Sequence, residues 1–190
     1  MPVEALVHRA EMAHAPVVVW VTGLPASGKT SLAAALLDLF HVHGRAAIHL
    51  DGDELRGWLA ADLGYDREDR LRASRRYVAL AELLHRHGRD VVVSTVSMFE
   101  GIRRGNRARF ARYYEIYLEA PEALRRTRDE RGVYRGLGSG EYESDLELPT
   151  RPDLVLPSRG GALRQSREQR IVARAVRTWS VMEASGVLGA

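Results

Sequence analysis

Short apolar runs alternate with amphipathic segments along most of the 190-residue chain. The runs are rich in β-branched and aromatic residues, which is typical of strands buried on both faces of a sheet; they lie at residues 17–21, 46–50, 91–95, 115–119 and 154–156. The segments between them, where apolar residues recur three and four positions apart, predict helices that begin near residues 31, 67, 99, 121 and 165. Strands that alternate with helices predict an α/β fold in three layers, with a mostly parallel sheet between two layers of helices.

Two stretches of the chain do not fit this alternation. Residues 1–15 carry charged residues and histidines without an apolar segment, and we interpret them as an N-terminal arm. Residues 131–149 are polar and rich in glycine without any periodicity, which predicts a mobile lid. Because no linker or internal repeat interrupts the rest, we expect residues 16–190 to form a single domain.

Composition narrows the class of protein. The 28 basic and 25 acidic residues are spread along the chain and leave a formal net charge of +3, which favours an ordinary mixed surface over a nucleic-acid binder. No apolar run approaches the roughly 20 residues needed to cross a bilayer, so no membrane association is expected. The absence of cysteine excludes disulfides and thiolate metal sites. These features favour a cytoplasmic protein.

The first run leads into the octapeptide Gly-Leu-Pro-Ala-Ser-Gly-Lys-Thr at residues 23–30. It matches the phosphate-binding pattern G-x-x-x-x-G-K-[ST] between a strand and a helix, where backbone N–H groups cradle phosphates. Lys29, the only lysine in the chain, would contact the β- and γ-phosphates of ATP, and the Thr30 hydroxyl would ligate Mg²⁺. The other predicted nucleotide contacts are Gly23, Ala26, Ser27, Gly28 and Ser31. The pattern predicts a P-loop NTPase fold of the nucleotide-kinase type.

Two carboxylates, Asp51 and Asp53, follow the second predicted strand. A doubly wound sheet opens its ligand crevice at this edge, and carboxylates there can hold Mg²⁺ or accept the proton of an attacking hydroxyl. The alternative is a plain Asp-Gly turn with a helix cap at Asp53. The nearby P-loop favours the functional interpretation, with Lys29, Asp51 and Asp53 as the catalytic group.

An ordered set of motifs over roughly residues 16–156 resembles the adenylylsulfate kinases, which phosphorylate the 3′-hydroxyl of adenosine 5′-phosphosulfate. The motifs are Gly23–Ser31, Leu50–Arg56, Leu63–Tyr65, Glu68–Arg70, Arg75–Arg76, Ser94–Ser97 and Arg128–Tyr134. The resemblance implies ATP and Mg²⁺ as cofactors, a nucleotide-linked small molecule as substrate and a homodimer as the assembly.

The resemblance also implies roles for single residues. Asp51 would bind Mg²⁺ and act as the base, with Asp53 in support. Arg128 would begin the lid near the bound nucleotide. The residues of the acceptor pocket would be Asp51, the phosphosulfate-binding Arg56 and Arg70, the base-stacking Tyr65, and Ser97.

The chain departs from the family pattern at two places. Ala73 stands where the family has an asparagine that contacts the substrate, and the short lid lacks the family's second aromatic, for which Tyr142 could substitute. The segments Ser97–Phe99 and Tyr113–Leu118 are more similar to a subgroup that includes cytidine diphosphoramidate kinase. Adenylylsulfate is therefore the expected acceptor, with cytidine diphosphoramidate or another biosynthetic intermediate as the alternative. A second alternative is a nucleotide-binding partner subunit without catalytic activity.

Two further expectations concern surface and core. The arginines at 103, 104, 107, 109 and 112 are interpreted as a solvated helix face, and the tryptophans at 20, 58 and 179 as core or interface residues.

Overall fold

A computed structural model describes residues 14–138, 140, 142, 144–158 and 166–189 of the chain. Within these residues, five strands form one sheet: β1 (Val18–Gly23), β2 (Ala47–Asp51), β3 (Asp90–Thr95), β4 (Tyr113–Glu119) and β5 (Leu154–Pro157). The strand order is β2-β3-β1-β4-β5, and every neighbouring pair is parallel. This confirms the predicted mostly parallel sheet.

Six helices accompany the strands in the described part of the chain: α1 (Lys29–Val42), α2 (Gly52–Leu59), α3 (Arg67–Arg86), α4 (Glu100–Arg109), α5 (Glu122–Thr127) and α6 (Arg167–Ala184). Of the predicted N-terminal arm, residues 1–13 lie outside the described residues, as do positions 139, 141 and 143 of the predicted lid. The last predicted helix was expected from residue 165, which is also outside them. It begins at Arg167, with Ser166 and Gln169 forming a reciprocal capping box.

The sheet is buried on both faces, as its continuous apolar runs predict. On one face, α1 packs against β1 and α6 packs against α1, with Leu36, Phe40 and Trp179 in the shared core. On the other face, the core contains Trp20 of β1 and Tyr77 of α3, together with side chains from α2 and α4. The two separate apolar clusters confirm the three-layer arrangement.

Helix α2 was expected only in the alternative interpretation, in which Asp53 caps a helix after an Asp-Gly turn. The structure starts a helix at Gly52, where the Asp51 carboxylate accepts hydrogen bonds from the backbone N–H groups of Asp53 and Glu54. The cap is therefore Asp51 and not Asp53. Gly52 also packs against β3, since a Cβ at this position would lie 2.7 Å from Thr95 Oγ1 and 3.0 Å from the Ser94 carbonyl oxygen.

The boundary between α4 and β4 also differs from the prediction. The helix was expected to reach residue 113 and the strand to begin at 115. Instead α4 ends at Arg109, and β4 begins at Tyr113, which pairs with Val18 of the central strand. The buried ring of Phe110 packs into the core between the two elements.

One arginine lies where the sequence did not place it, and one of the three tryptophans is exposed. Arg103 was assigned to a solvated face, yet it is buried, with its Nε 3.7 Å from Glu115 Oε1 and its Nη1 donating to the Glu147 carbonyl at 2.7 Å. Although Arg103 also pairs with the nearby Glu100, Glu115 and Glu147 are distant in sequence, so local periodicity could not reveal the burial. Trp58 is 81% exposed and is not a core residue, whereas Trp20 and Trp179 are buried. No helix within the described ranges is both long and apolar enough to cross a membrane.

A buried carboxylate ties the start of β3 to the segment that enters β1. Asp90 is fully buried and accepts hydrogen bonds from Arg45 Nε at 2.9 Å and Nη2 at 2.8 Å, and from the Val17 N–H at 2.8 Å. The His14 ring nitrogen lies 2.9 Å from the same carboxylate. The charge of Asp90 is thus compensated by an ion pair and by hydrogen bonds, as a buried charge requires.

Replacing Asp90 by alanine is expected to lower the free energy of unfolding by about 3–5 kcal/mol, because the buried Arg45 guanidinium would lose its counter-charge. Urea denaturation measures this change. The matched control is Asp62→Ala, which removes an exposed partner of Arg76 and should change stability little. Equal denaturation midpoints for the two variants would contradict the assigned role of Asp90.

Candidate active site

A cleft of about 720 Å³ opens at the carboxyl ends of the strands. Its walls come from the loop between β1 and α1, from α2, α3 and the segment after β3, and from the segment after α5 and the first turns of α6. This is the edge at which open parallel sheets bind ligands. Most of the predicted site residues lie in or directly behind this cleft.

The β1–α1 loop has the backbone geometry that a phosphate cradle requires. Gly28 adopts a left-handed conformation at the start of α1, with φ 99°, and Ala26 also has a positive φ of 59°. Such a conformation is costly for a non-glycine residue and is held only where the surrounding structure fixes it. At Gly23, a Cβ would lie 2.8 Å from the Leu118 carbonyl oxygen. Glycine is therefore required where the loop leaves the sheet.

Lys29 lies inside the loop that it would serve. Its Nζ donates to the Leu24 carbonyl oxygen at 2.9 Å. Burial lowers its pKa to about 8, although Asp53 and Asp51 oppose this shift. Because the ammonium is poorly solvated here, an anion in the loop would stabilise its charged form.

Asp51 is the centre of a hydrogen-bond network that joins the ends of β2 and β3 to the first turn of α1. Its Oδ2 accepts from Thr30 Oγ1 at 2.7 Å and from Ser94 Oγ at 2.8 Å, while its Oδ1 accepts from the Asp53 N–H at 2.9 Å. Although burial opposes ionisation, the Thr30 and Ser94 hydrogen bonds hold the pKa of Asp51 below its usual value. The side chain is thus an ionised carboxylate, bonded on both oxygens.

The same network includes two residues that sequence reasoning did not assign, Ser94 and His49. The Nε2 of His49 lies 2.9 Å from Ser94 Oγ. Because the Ser94 proton is directed to Asp51, His49 must donate its Nε2–H to Ser94. Burial lowers the pKa of His49, which favours this neutral form. Their positions in the sequence could have indicated this role, since both residues lie near the carboxyl ends of adjacent strands.

Thr30 and Asp51 suit Mg²⁺ chemically. A hydroxyl and a carboxylate are oxygen ligands, and Mg²⁺ in kinases completes its coordination with phosphate oxygens and water. No group of three or more acidic or histidine side chains converges within the described residues, so this would be a P-loop type of site and not an all-protein cage. Asp51 lies behind Thr30 and Ser94, which line the cleft together with Asp53.

Asp53 and Arg56 extend from α2 into the cleft. The Asp53 carboxylate forms an ion pair with Arg131, the first residue of the predicted lid. Arg56 donates to the carbonyl oxygens of Leu63, at 2.7 Å, and Gly64, and its guanidinium lies 4.5 Å from the centre of the Tyr65 ring. Tyr65 is 78% exposed, so one face of a flat ring is available to a ligand.

The predicted residues Arg70 and Ser97 lie on the same side of the cleft. Arg70 forms an ion pair with Asp145 of the lid segment at 3.2 Å. Ser97 is buried and shares hydrogen bonds with Ser74 Oγ at 2.8 Å and Thr95 Oγ1 at 3.0 Å. Ala73 lines the wall between them and offers no polar atom.

The lid segment is tied to the P-loop at its base. Asp129 accepts hydrogen bonds from the backbone N–H groups of Val133 and Tyr134, which closes a tight turn. The Tyr134 hydroxyl donates to the Pro25 carbonyl oxygen at 3.0 Å. The Tyr142 ring packs edge-on against Tyr134 at 5.7 Å, which places an aromatic ring of the lid segment in the cleft wall.

Arg128 lies on the opposite side of the P-loop from the Arg56 and Arg70 group. It follows α5 and donates from Nη1 to Ser158 Oγ at 3.1 Å. Ser158 comes directly after β5, so this arginine is placed at the ends of β4 and β5.

Proteins of known function carry this sequence pattern. Residues 15–156 match the family model described as adenylylsulphate kinase. The cytidine diphosphoramidate kinase of Campylobacter jejuni is 38% identical over 65% of this chain and 72% of its own length. An adenylyl-sulfate kinase of Chloroflexus aurantiacus is 39% identical over 73% of this chain and 78% of its own length.

A solved structure agrees with these relatives. It is that of the Mycobacterium tuberculosis APS kinase in complex with AMPPNP and APS, which is 30% identical and covers 90% of this chain and 99% of its own, with a TM-score of 0.74. The family match spans most of the chain and includes the P-loop, Asp51 and the Arg56–Arg70 side of the cleft. This chain therefore belongs to the adenylylsulphate kinase family.

Proposed function

We propose that this protein is a kinase that transfers the γ-phosphate of ATP, with Mg²⁺, to a hydroxyl group of a nucleotide-linked anion. The main support for this proposal is that Thr30 of the P-loop donates a hydrogen bond to Asp51 at 2.7 Å, beside a cleft that Arg56 and Arg70 also line. This arrangement supports a triphosphate cradle, a metal-binding pair and an anion-binding group around one space.

The residues of the P-loop would hold and neutralise the donor. Lys29 would exchange its hydrogen bond to the Leu24 carbonyl for oxygens of the β- and γ-phosphates, which restores the charge that burial disfavours. Thr30 and Asp51 would hold Mg²⁺, which neutralises charge that develops on the transferred phosphoryl group. Asp51 would also keep the Thr30 hydroxyl oriented, since it accepts the Thr30 proton.

The acceptor would lie between α2 and α3. Arg56 and Arg70 can give an anionic linkage two guanidinium groups, and Tyr65 can stack on a base. Asp53 lines the cleft itself, whereas Asp51 lies behind Thr30 and Ser94, next to the hydroxyl that would ligate the metal. We therefore assign contact with the attacking hydroxyl to Asp53, and the metal to Asp51.

Adenosine 5′-phosphosulfate is the acceptor we propose, since curated relatives with that activity are up to 39% identical. Ala73 supports a second candidate, because its methyl group removes a polar contact from the acceptor wall. A relative of 38% identity phosphorylates cytidine diphosphoramidate, so that compound is the alternative acceptor. A partner subunit without turnover is disfavoured because Lys29, Thr30 and Asp51 form a complete donor site.

The acceptor can be identified by measuring ADP release with Mg·ATP and either adenylylsulfate or cytidine diphosphoramidate. We expect saturable turnover with adenylylsulfate, because the cleft provides both cationic groups and an exposed aromatic ring. Turnover with cytidine diphosphoramidate alone would replace the proposed acceptor while keeping the kinase. ADP release that no acceptor stimulates would contradict the proposed function.

Replacing Lys29 by alanine is expected to reduce kcat/KM by about 10²-fold or more, since one charged donor to the transferred phosphate is lost. Steady-state kinetics measures this loss. Thermal unfolding serves as the control, because Lys29 contributes one hydrogen bond to the ligand-free loop and the variant should remain folded. Activity within a few fold of the parent would exclude the P-loop mechanism.

The substitution Ala73→Asn tests the acceptor wall. If the missing amide limits binding of adenylylsulfate, the variant should lower KM for that acceptor and leave KM for ATP unchanged. Ala73 is 2% exposed, so a melting curve must accompany the kinetics to detect steric strain. A folded variant with a higher KM for adenylylsulfate would show that the pocket is shaped for another acceptor.

A further inference from the structure

The strand order divides the cleft into two halves around the P-loop. The ends of β2 and β3 lie on one side of β1 and carry the Asp51 network and the acceptor group. The ends of β4 and β5 lie on the other side and lead to Arg128 and Ser158. The second half is therefore separate from the acceptor and continuous with the donor cradle.

The donor half is lined by an unusual concentration of arginines. Residues Arg167, Arg170 and Arg174 follow each other at intervals of three and four along α6, which places them on one helix face. All three line the cleft together with Arg128. Helix α6 packs along α1, whose first turn belongs to the P-loop, so this face is held beside the phosphate cradle.

Within the described ranges, no carboxylate forms an ion pair with Arg128, Arg167 or Arg174. Arg128 and Arg174 both donate to the same buried hydroxyl, Ser158 Oγ, at 3.1 and 3.4 Å. The Arg167 side chain makes no hydrogen bond to any described residue. A neutral oxygen shared by two guanidinium groups leaves their charge uncompensated.

The positive charges of these arginines also repel one another. Burial lowers the pKa of Arg128, and the neighbouring Arg174, Arg167 and Arg170 lower it further. Burial and Arg170 likewise lower the pKa of Arg174. Like charges gathered in a partly buried cleft cost stability unless an anion joins them. Guanidinium groups bind phosphate and carboxylate alike through two parallel hydrogen bonds, and in a cleft that borders a P-loop the expected anion is phosphate.

We propose that Arg128, Arg167 and Arg174 form a phosphate subsite in the donor half of the cleft. The inference rests on the proposed function, because that function assigns this half to the donor nucleotide. The phosphate comes from one of two sources: the 5′-phosphates of the donor, or a ribose phosphate on a 3′-phosphorylated nucleotide bound in its place. An adenine ring can stack on one guanidinium, but adenosine carries no negative charge to compensate the cluster.

The subsite is tested by calorimetric titration of the full-length protein with ADP and, separately, with adenosine 3′,5′-bisphosphate, in the absence of acceptor. Arg167→Gln is the first variant, because Arg167 makes no contact that the fold needs. Arg167→Gln combined with Arg174→Gln is the second. The matched control is Arg177→Gln, which removes an exposed charge on the same helix outside the cleft.

We expect about tenfold weaker binding of at least one nucleotide to Arg167→Gln, a larger loss for the double variant and no change for the control. Weaker binding of ADP assigns the subsite to the 5′-phosphates, and weaker binding of the bisphosphate alone assigns it to a ribose phosphate. Affinities equal to those of the Arg177 control for both nucleotides would overturn the proposal.

The binding assay separates this proposal from the proposed function. It requires no turnover, so a protein that phosphorylates neither acceptor can still show or lack the subsite. Conversely, normal turnover with unchanged nucleotide affinities would contradict the subsite and leave the kinase function in place. The melting temperature of Arg167→Gln at low salt should equal or exceed that of the parent, because one repelling charge is removed.

Discussion

The arrangement of the site depends on the Asp51 carboxylate. It accepts hydrogen bonds from a hydroxyl of the P-loop, from a hydroxyl at the end of β3 and from the first backbone N–H groups of α2. One side chain therefore fixes where the phosphate cradle lies relative to the helix that carries Asp53 and Arg56. Parallel pairing brings the carboxyl ends of the strands to one edge of the sheet. The hydrogen bonds of this carboxylate then hold Thr30 and Ser94 at 2.7 and 2.8 Å from it.

Most of the fold could be predicted from the sequence because the strands are buried on both faces and read as continuous apolar runs. The P-loop could also be recognised from the sequence, because its function requires the glycines and the lysine at a fixed spacing along the chain. The start of helix α2 was not predicted correctly because its cap, Asp51, also accepts hydrogen bonds from Thr30 and Ser94 in other elements. Arg103 was misplaced for a related reason: its partners Glu115 and Glu147 are brought to it only by the folded chain.

In the candidate site, too, some residues could be predicted from local motifs and others only from tertiary contacts. The positions of Lys29, Thr30 and Asp51 follow from local motifs, whereas the roles of His49 and Ser94 require knowledge of which strands are neighbours. The α6 arginines were not assigned for this reason. Their spacing places them on one helix face, but only the packing of α6 along α1 shows that this face borders the nucleotide cleft.

The P-loop lysine has a consequence for chemistry done on the protein as a whole. Because Lys29 is the only lysine, the chain carries a single side-chain amine. Because its pKa is lowered to about 8, a larger share of that amine is uncharged, and hence nucleophilic, near neutral pH than in an ordinary lysine. Acylating reagents or enzymes that modify lysine side chains therefore have one side-chain amine to modify, and its modification would remove the cation that we propose for the triphosphate. In this protein, a single modified side-chain nitrogen would correspond to the loss of the proposed nucleotide site.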